Sequence, residues 1–274
     1  MTARASPPHA ALSPQKRALR APRQGVLAVQ VLIVVLVIAG MQVLNATSGR
    51  LVMPAPADVW RQSVAMWADG SIPRALGETL TVLGLGFSIA AVTGVLAGIV
   101  LGGIPVLGRV FDPFVNALNA TPSAAFIPLI IVWFGLFTEA KVALVWNAAF
   151  FPILISTASG IANANRDLME MAQSFGADRR RLFWQVMVPD ALPMILSGLR
   201  IGAAIAIVGT VIAELTMAQS GLGGLLITAG NRFQMDRYFA VVIVMMALGT
   251  ALTAALRQIE RRFGRWRTSQ AGER

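Results

Sequence analysis

Long apolar segments recur along the chain, separated by short stretches that contain charged residues, glycine and proline. A helix needs roughly 20 apolar residues to cross the hydrocarbon core of a bilayer, and six segments approach or exceed that length. They are Val26–Leu44, Leu76–Gly102, Phe114–Leu136, Val142–Ala162, Leu196–Thr216 and Phe239–Leu256. The pattern predicts an all-α fold, a polytopic membrane helical bundle of about six transmembrane helices. The first segment is too long for the apolar core of a signal peptide, so we expect it to remain as an anchor.

The composition agrees with a membrane protein and removes several kinds of chemistry. Of the 274 residues, 56% are hydrophobic and 13% are charged, and the mean hydropathy is +0.67; soluble domains carry about 25% charged residues. The chain has no cysteine, its single histidine is His9, and neither of its two lysines follows the glycine pattern of a phosphate-binding loop. We therefore expect no metal, no cofactor and no catalytic or nucleotide site, which argues against a membrane enzyme.

The positive charge is concentrated on one side of the predicted spans. The formal net charge is +10, and most Lys and Arg residues fall in the tail 1–25, the loop between the fourth and fifth spans, and the tail 257–274. Because cytoplasmic segments of membrane proteins are enriched in Lys and Arg, we place both termini in the cytoplasm and residues 26–256 in the plasma membrane. The basic excess is thus an orientation signal, aided by anionic membrane lipid, and does not indicate nucleic-acid binding. We expect residues 1–25 to be disordered.

Small residues recur every four positions in two of the predicted spans. One series is Ala90, Gly94, Gly98 and Gly102, and the other is Gly198, Gly202 and Ala206. Such faces let two helices approach closely in lipid. They indicate either static packing or surfaces along which helices slide.

Ionisable residues within spans are functional candidates by default, and two are clear, Arg200 and Glu214. They are about 21 Å apart along one helix at 1.5 Å per residue, and each lies near a span end from which its side chain can reach the membrane surface. The spans lack the series of carboxylates or histidines that a proton relay uses. Pro122, Pro128 and Pro152 are predicted to kink or break the third and fourth spans, and broken helices mark binding sites in many transporters.

The loop between the fourth and fifth spans is long, polar and regularly patterned. Asp167 is predicted to cap a short helix, with Glu170 returning a bond as in a capping box. Gly176 is predicted to end that helix in the left-handed conformation, and Asp178 to cap a second helix that stops near Pro189. An apolar stripe runs along the first helix: Leu168, Met171, Ala172 and Phe175. A helix this short is not stable alone, so it needs a partner, either the rest of this chain or another protein.

The same loop resembles the EAA loop of ABC importer permeases. That family pattern places a Glu-Ala-Ala triplet before a Gly and a later Leu-Pro, and Glu170, Ala172, Gly176 and Pro189 stand at its spacings. Met171 replaces the middle Ala and Val188 replaces the Leu, each apolar for apolar. Similarity to the nitrate, sulfonate and taurine branch extends over roughly residues 50–266, including Ile127–Gly135, Phe150–Leu154, Gly198–Gly202, Ala213-Glu214 and Gly221–Gly223.

The resemblance implies a type I ABC importer permease fold. In this family the permease pairs with a second permease copy, often as a homodimer, two ABC ATPase subunits bind below it, and a periplasmic solute-binding protein delivers the solute. The loop 165–190 would contact the ATPases through Asp167, Leu168, Glu170, Met171, Ala172, Phe175, Gly176 and Pro189, the last ending the second short helix. Spans two to five would line the pathway, with Asn119, Thr121, Asn147 and Thr210 as candidates and Glu214 in a gating or structural role.

The resemblance favours import of a small anion such as a sulfonate, taurine or nitrate. A thiamine-precursor pyrimidine or another small organic molecule stays open, because no motif in this chain identifies the solute. An ion-coupled secondary transporter, from a different class, also suits six spans. That alternative leaves the patterned loop unexplained.

Overall fold

The computed structural model describes residues 23–49, 52–217 and 220–263, and all regular structure in these ranges is helical. The predicted all-α fold is therefore confirmed for this part of the chain, and most of the two predicted tails lies outside it. The α-helices are α1 Arg23–Ser48, α2 Pro56–Ala68, α3 Ser71–Gly103, α4 Pro105–Ala120, α5 Ile127–Phe134, α6 Thr138–Ala162, α7 Arg166–Ser174, α8 Arg179–Arg181, α9 Val188–Thr216, α10 Gly221–Asn231 and α11 Met235–Phe263. A 3-10 turn, Ser123–Phe126, precedes α5, and a π-helical turn, Leu182–Met187, joins α8 to α9.

Five helices in the described ranges are long and apolar enough to cross a membrane. They are Val29–Thr47 within α1, all of α3, all of α6, the stretch Arg179–Thr216 that includes α9, and Met235–Ala255 within α11. These five correspond to five of the six predicted spans, and a sixth exists if the bent pair formed by α4 and the 3-10 turn with α5 is counted as one span.

The third predicted span, Phe114–Leu136, is wrong as a continuous helix. α4 starts earlier than predicted, at Pro105, and the segment that follows it is bent by 92°. The break falls at Thr121 and Pro122, whose ψ angles of 124° and 127° are extended. Pro122 accounts for the break, because a proline ring disfavours the helical conformation of the residue before it.

Helix α6 packs between α3 and α9 through both predicted small-residue faces. At Gly94, Gly98 and Gly102 of α3, an added Cβ would lie between 2.5 and 3.0 Å from atoms of α6. At Gly198 and Gly202 of α9 it would lie 2.6 and 2.5 Å from α6 side chains. Real Cβ atoms do not approach so closely, so these faces are confirmed as packing surfaces. Sliding along them stays a prediction.

A second apolar cluster joins α2, α10 and α11 to the first turns of α3. Its buried members include Val59, Ile72, Leu222, Leu226 and Val241. This end of α3 is therefore fixed by neighbouring helices as well as by α6.

At the turn between α2 and α3, hydrogen bonds from Ser71 hold the pKa of the Asp69 carboxyl below its usual value.

Gly98→Ala tests whether α3 and α6 depend on backbone contact. The new methyl group would lie 2.5 Å from the Thr157 Cβ and 2.7 Å from the Leu154 carbonyl oxygen, and overpacking of this kind costs about 1–3 kcal/mol. We expect a lower thermal unfolding temperature in detergent.

Gly84→Ala is the matched control on the same helix. Its Cβ would meet nothing within 4 Å, and alanine is a better helix former than glycine by about 1 kcal/mol. We expect its unfolding temperature to equal or exceed that of the unchanged protein. Equal stability of the two variants would contradict the packing argument.

Candidate functional site

Helix α7 begins one residue after Asn165, not at Asp167 as the capping-box prediction required. The Asn165 side-chain oxygen accepts a hydrogen bond from the Asp167 backbone N–H at 2.9 Å, so Asn165 is the cap. Asp167 lies in the first turn, where its charge favours the helix dipole. The Asn165 N–H donates at 2.8 Å to the Asp190 carboxylate in the first turn of α9. The reciprocal partner is therefore Asp190 rather than Glu170, and it ties α7 directly to α9.

The other end of α7 has the predicted geometry. Gly176 has a φ of 81°, the left-handed conformation that favours glycine. The Gly176 N–H donates to the Gln173 carbonyl at 2.9 Å and the Ala177 N–H to the Ala172 carbonyl at 3.0 Å, which together form a Schellman motif. Asp178 then caps the next helical turn by accepting from the Arg181 N–H at 2.8 Å. Both signals read from the sequence are confirmed here.

The apolar stripe of α7 is not covered by the described part of its own chain. Leu168 is 42% exposed, Met171 56% and Phe175 87%, and α7 contains no buried residue. Ala172 is half-buried and Glu170 is exposed. Of the two partners that the sequence left open for this stripe, the rest of this chain does not supply one among the described residues.

The predicted stop of the second short helix at Pro189 is wrong. The chain continues from α8 through the π-helical turn into α9, as one helical stretch of 38 residues from Arg179 to Thr216. A proline in a helix clashes with the carbonyl four residues earlier. The π-helical turn ends at Met187, two residues before Pro189, so the proline ring falls where the backbone hydrogen-bonding pattern changes.

The five pathway candidates occupy different environments. Asn119 and Thr121 are exposed at the end of α4, and Asn147 is half-buried on α6. Thr210 is 2% exposed and its hydroxyl donates to the Ala206 carbonyl of its own helix. Glu214 is 1% exposed, so the expectation that its side chain reaches the membrane surface is wrong. The structure therefore separates exposed polar groups on α4 from buried ones on α9.

Glu214 is the centre of a buried polar cluster that the sequence did not reveal. Its Oε1 accepts from the Thr79 hydroxyl of α3 at 2.7 Å, and its Oε2 accepts from the Gly223 N–H of α10 at 2.9 Å. Lys141, which the sequence placed in a loop, is only 2% exposed and donates to the Ser220 hydroxyl. Helices α3, α6 and α9 thus each contribute a polar side chain next to α10.

The amino end of α10 has its free backbone donors satisfied by this cluster. The Gly221 N–H donates to Glu78 Oε2 at 2.8 Å, the Leu222 N–H to the Thr79 hydroxyl at 3.0 Å, and the Gly223 N–H to Glu214. The first N–H groups of a helix lack partners within the helix, and its positive end attracts carboxylates. Two carboxylates and one hydroxyl from other helices therefore seat α10.

Glycine is required at two positions of this contact. A Cβ on Gly221, whose φ is 74°, would lie 2.0 Å from Glu214 Oε1, and a Cβ on Gly223 would lie 2.5 Å from the Glu214 Cβ. The sequence could have pointed to Glu78, since it falls inside a predicted span. Nothing local indicated that residues so far apart in the chain would meet.

Helices long and apolar enough to cross a membrane, packed through glycines and accompanied by a short amphipathic helix that the described residues leave uncovered, define a polytopic membrane subunit. Residues 72–265 match the family described as binding-protein-dependent transport system inner membrane component. The chain belongs to this family, the permeases of ABC importers, within the branch that includes taurine and sulfonate permeases. Membership implies an ATPase and a solute-binding protein as partners and a multi-pass location in the inner membrane.

Relatives and a solved structure support this assignment. The chain is 31% identical over 221 residues to the taurine transport system permease protein TauC of Escherichia coli, covering 79% of this chain and 80% of TauC. It is 32% identical over 236 residues to the putative aliphatic sulfonates transport permease protein SsuC of Bacillus subtilis, covering 86% and 84%. An inward-facing structure of the MetNI methionine ABC transporter matches with a TM-score of 0.60 at 20% identity, covering 70% of this chain and 95% of that one. This last likeness confirms the predicted type I fold.

Asn165→Ala tests the corrected cap of α7. Loss of a capping side chain costs about 1 kcal/mol, which corresponds to roughly five-fold faster hydrogen exchange of the α7 amides. Asp167→Asn is the control, because it removes the charge of the residue that the sequence favoured but keeps the cap. Hydrogen exchange followed by mass spectrometry decides between them, and faster exchange in Asp167→Asn than in Asn165→Ala would refute the assignment.

Proposed function

We propose that this permease imports a small organic anion of the sulfonate or taurine type, and that two copies of the chain form the pathway. The similarity to the taurine and sulfonate permeases carries the solute class. The two copies would be served by two ATPase subunits and one periplasmic solute-binding protein. Nitrate, a small inorganic anion, is the alternative within the same branch.

In this proposal α7 is the helix that the ATPase subunit binds. The carrying observation is the exposure of Leu168, Met171 and Phe175 on one face of a capped helix. Apolar side chains in this number need cover from water, and the loop is too polar to be embedded in hydrocarbon. Gly176 and the capped amino end hold the helix rigid, while Glu170 and Ala172 shape the surface beside the stripe.

The proposed orientation places α7 and both termini in the cytoplasm. Three consecutive exposed arginines, Arg179, Arg180 and Arg181, adjoin α7, and such clusters mark cytoplasmic segments. The end of the bundle that holds Glu214 then faces the periplasm. Anionic lipid at the cytoplasmic surface favours the same arrangement.

The pathway in this proposal runs along the exposed polar face of α4. Asn116 and Asn119 are exposed on this helix, Thr121 is exposed directly after it, and α4 has no buried residue. Polar side chains facing lipid are costly, so a water-filled pathway between two copies is the better location for them. Asn147 and Thr210, in contrast, would support the wall rather than contact the solute.

ATP-dependent uptake tests the function. The chain is reconstituted in liposomes with its ATPase and its solute-binding protein, and the solute class is first found from which of taurine, alkanesulfonates, nitrate and a pyrimidine raises the melting temperature of the binding protein. We expect uptake of a sulfonate only with internal ATP. Uptake driven by a proton gradient without ATPase subunits would favour a secondary transporter, and a response to the pyrimidine alone would reassign the solute.

Met171→Asp tests the role of α7. Burial of a methionine side chain contributes about 1.5–3 kcal/mol, so placing a charge there should weaken ATPase binding by at least about ten-fold. Gln173→Asp is the matched control, because Gln173 is exposed and lies about 200° around the helix from Met171. ATPase affinity is measured on the purified permease, and equal loss in both variants would contradict a contact through the stripe.

A further inference from the structure

One uninterrupted helical stretch connects the two ends of the bundle. It runs for 38 residues from Arg179 to Thr216, a length of roughly 55 Å at the helical rise per residue. Asp190 lies near its start, just after the π-helical turn. Its carboxylate accepts a hydrogen bond from the backbone N–H of Asn165, the capping residue of α7. Glu214 lies near its other end. A displacement of α7 that keeps this hydrogen bond therefore acts on the helix that carries Glu214.

Glu214 joins the end of α9 directly to the first turn of α10. Its carboxylate bridges the Thr79 hydroxyl of α3 and the Gly223 N–H of α10. Gly221 and Gly223 lie so close to the Glu214 side chain that neither position has space for a methyl group. The first turn of α10 is therefore seated directly on this side chain.

The contact is also costly to break. Glu214 is 1% exposed and Lys141 is 2% exposed, and a buried polar group that loses its hydrogen-bond partner carries a free-energy penalty. Gly221 is held in addition by Glu78 of α3. Beyond this contact, α10 packs through Leu222 and Leu226 into the cluster shared with α2 and α11. Movement of α10 is thus passed to two more helices.

We propose that Glu214 is a positioning residue that transmits movement of α9 to α10, so that α7 and the opposite end of the bundle move together. The proposal rests on the function proposed above, because it assumes that ATPase subunits move α7. Glu214 contacts no solute in this account. Glu214 instead couples ATP binding to the conformation of the end of the bundle that lies opposite α7.

The test uses the complete transporter and the absence of cysteine from the chain. A spin label is attached to Asn231→Cys, an exposed position at the end of α10, and its mobility is recorded with and without ATP. Glu214→Gln keeps the size of the side chain but replaces one acceptor oxygen with a donor group. We expect the ATP-dependent change in mobility to disappear and uptake to fall at least ten-fold, while basal ATP hydrolysis stays within two-fold.

Glu139→Gln is the matched control, because Glu139 is an exposed carboxylate in the first turn of α6, the helix that carries Lys141. It should leave the label response and uptake unchanged. A purely structural role for Glu214 would instead lower the amount of assembled transporter and basal hydrolysis together. A full label response and normal uptake in Glu214→Gln would overturn the proposal, as would an unchanged label in the parent protein on addition of ATP.

Thr79 provides a second test if Glu214→Gln fails to assemble. Thr79→Val removes the hydroxyl that joins Glu214 to the Leu222 N–H, whereas Thr79→Ser keeps it. We expect loss of the label response in the first and its retention in the second, and an intact response in Thr79→Val would overturn the proposal. Absence of ATP-driven uptake by the parent protein would instead count against the proposed function.

Discussion

Backbone contact around α6 is the constraint on which the rest of the structure depends. In lipid, helices gain little from hiding apolar surface, so their association relies on close van der Waals packing. Glycines on α3 and α9 bring both helices within contact of α6, including the backbone carbonyls of Leu154 and Ala158. With α6 held from two sides, the start of α3 and the end of α9 meet at one end of the bundle. That meeting places Thr79 and Glu214 within hydrogen-bond distance.

The polar cluster explains a glycine pattern that packing between spans does not. Gly221 and Gly223 belong to a helix too short to cross the membrane, yet neither tolerates a side chain because Glu214 occupies the space. The buried Glu214 carboxylate requires donors, and the amino end of α10 requires acceptors. The backbone N–H groups of α10 supply donors to the carboxylate, and the carboxylate supplies an acceptor to α10. The amino end of α10 therefore has partners although Ser220 makes no side-chain cap.

The sequence predicted what depends on neighbours along the chain and failed where distant segments meet. Five spans, the glycine faces, the left-handed Gly176 and the Asp178 cap all follow from local rules of length, periodicity and backbone conformation. The cap of α7 was misplaced because Asn165 and Asp167 are both capable caps, and the Asp190 carboxylate that favours Asn165 lies in another helix. Lys141 lies just outside the predicted span and was therefore expected in a loop. In the fold it is buried and donates a hydrogen bond to Ser220.

The backbone ends of α7 have hydrogen-bond partners within the described part of the chain, whereas its apolar side chains have no cover there. The backbone ends are satisfied by Asn165 and by the Schellman motif at Gly176, and the Asn165 N–H is bound to Asp190 of α9. The stripe ending in Phe175 is exposed. In the proposed function, a force applied to that stripe would act on a helix with both ends satisfied and would reach α9 through the hydrogen bond between Asn165 and Asp190. A helix that only covered its own bundle would instead have this stripe packed against the neighbouring helices.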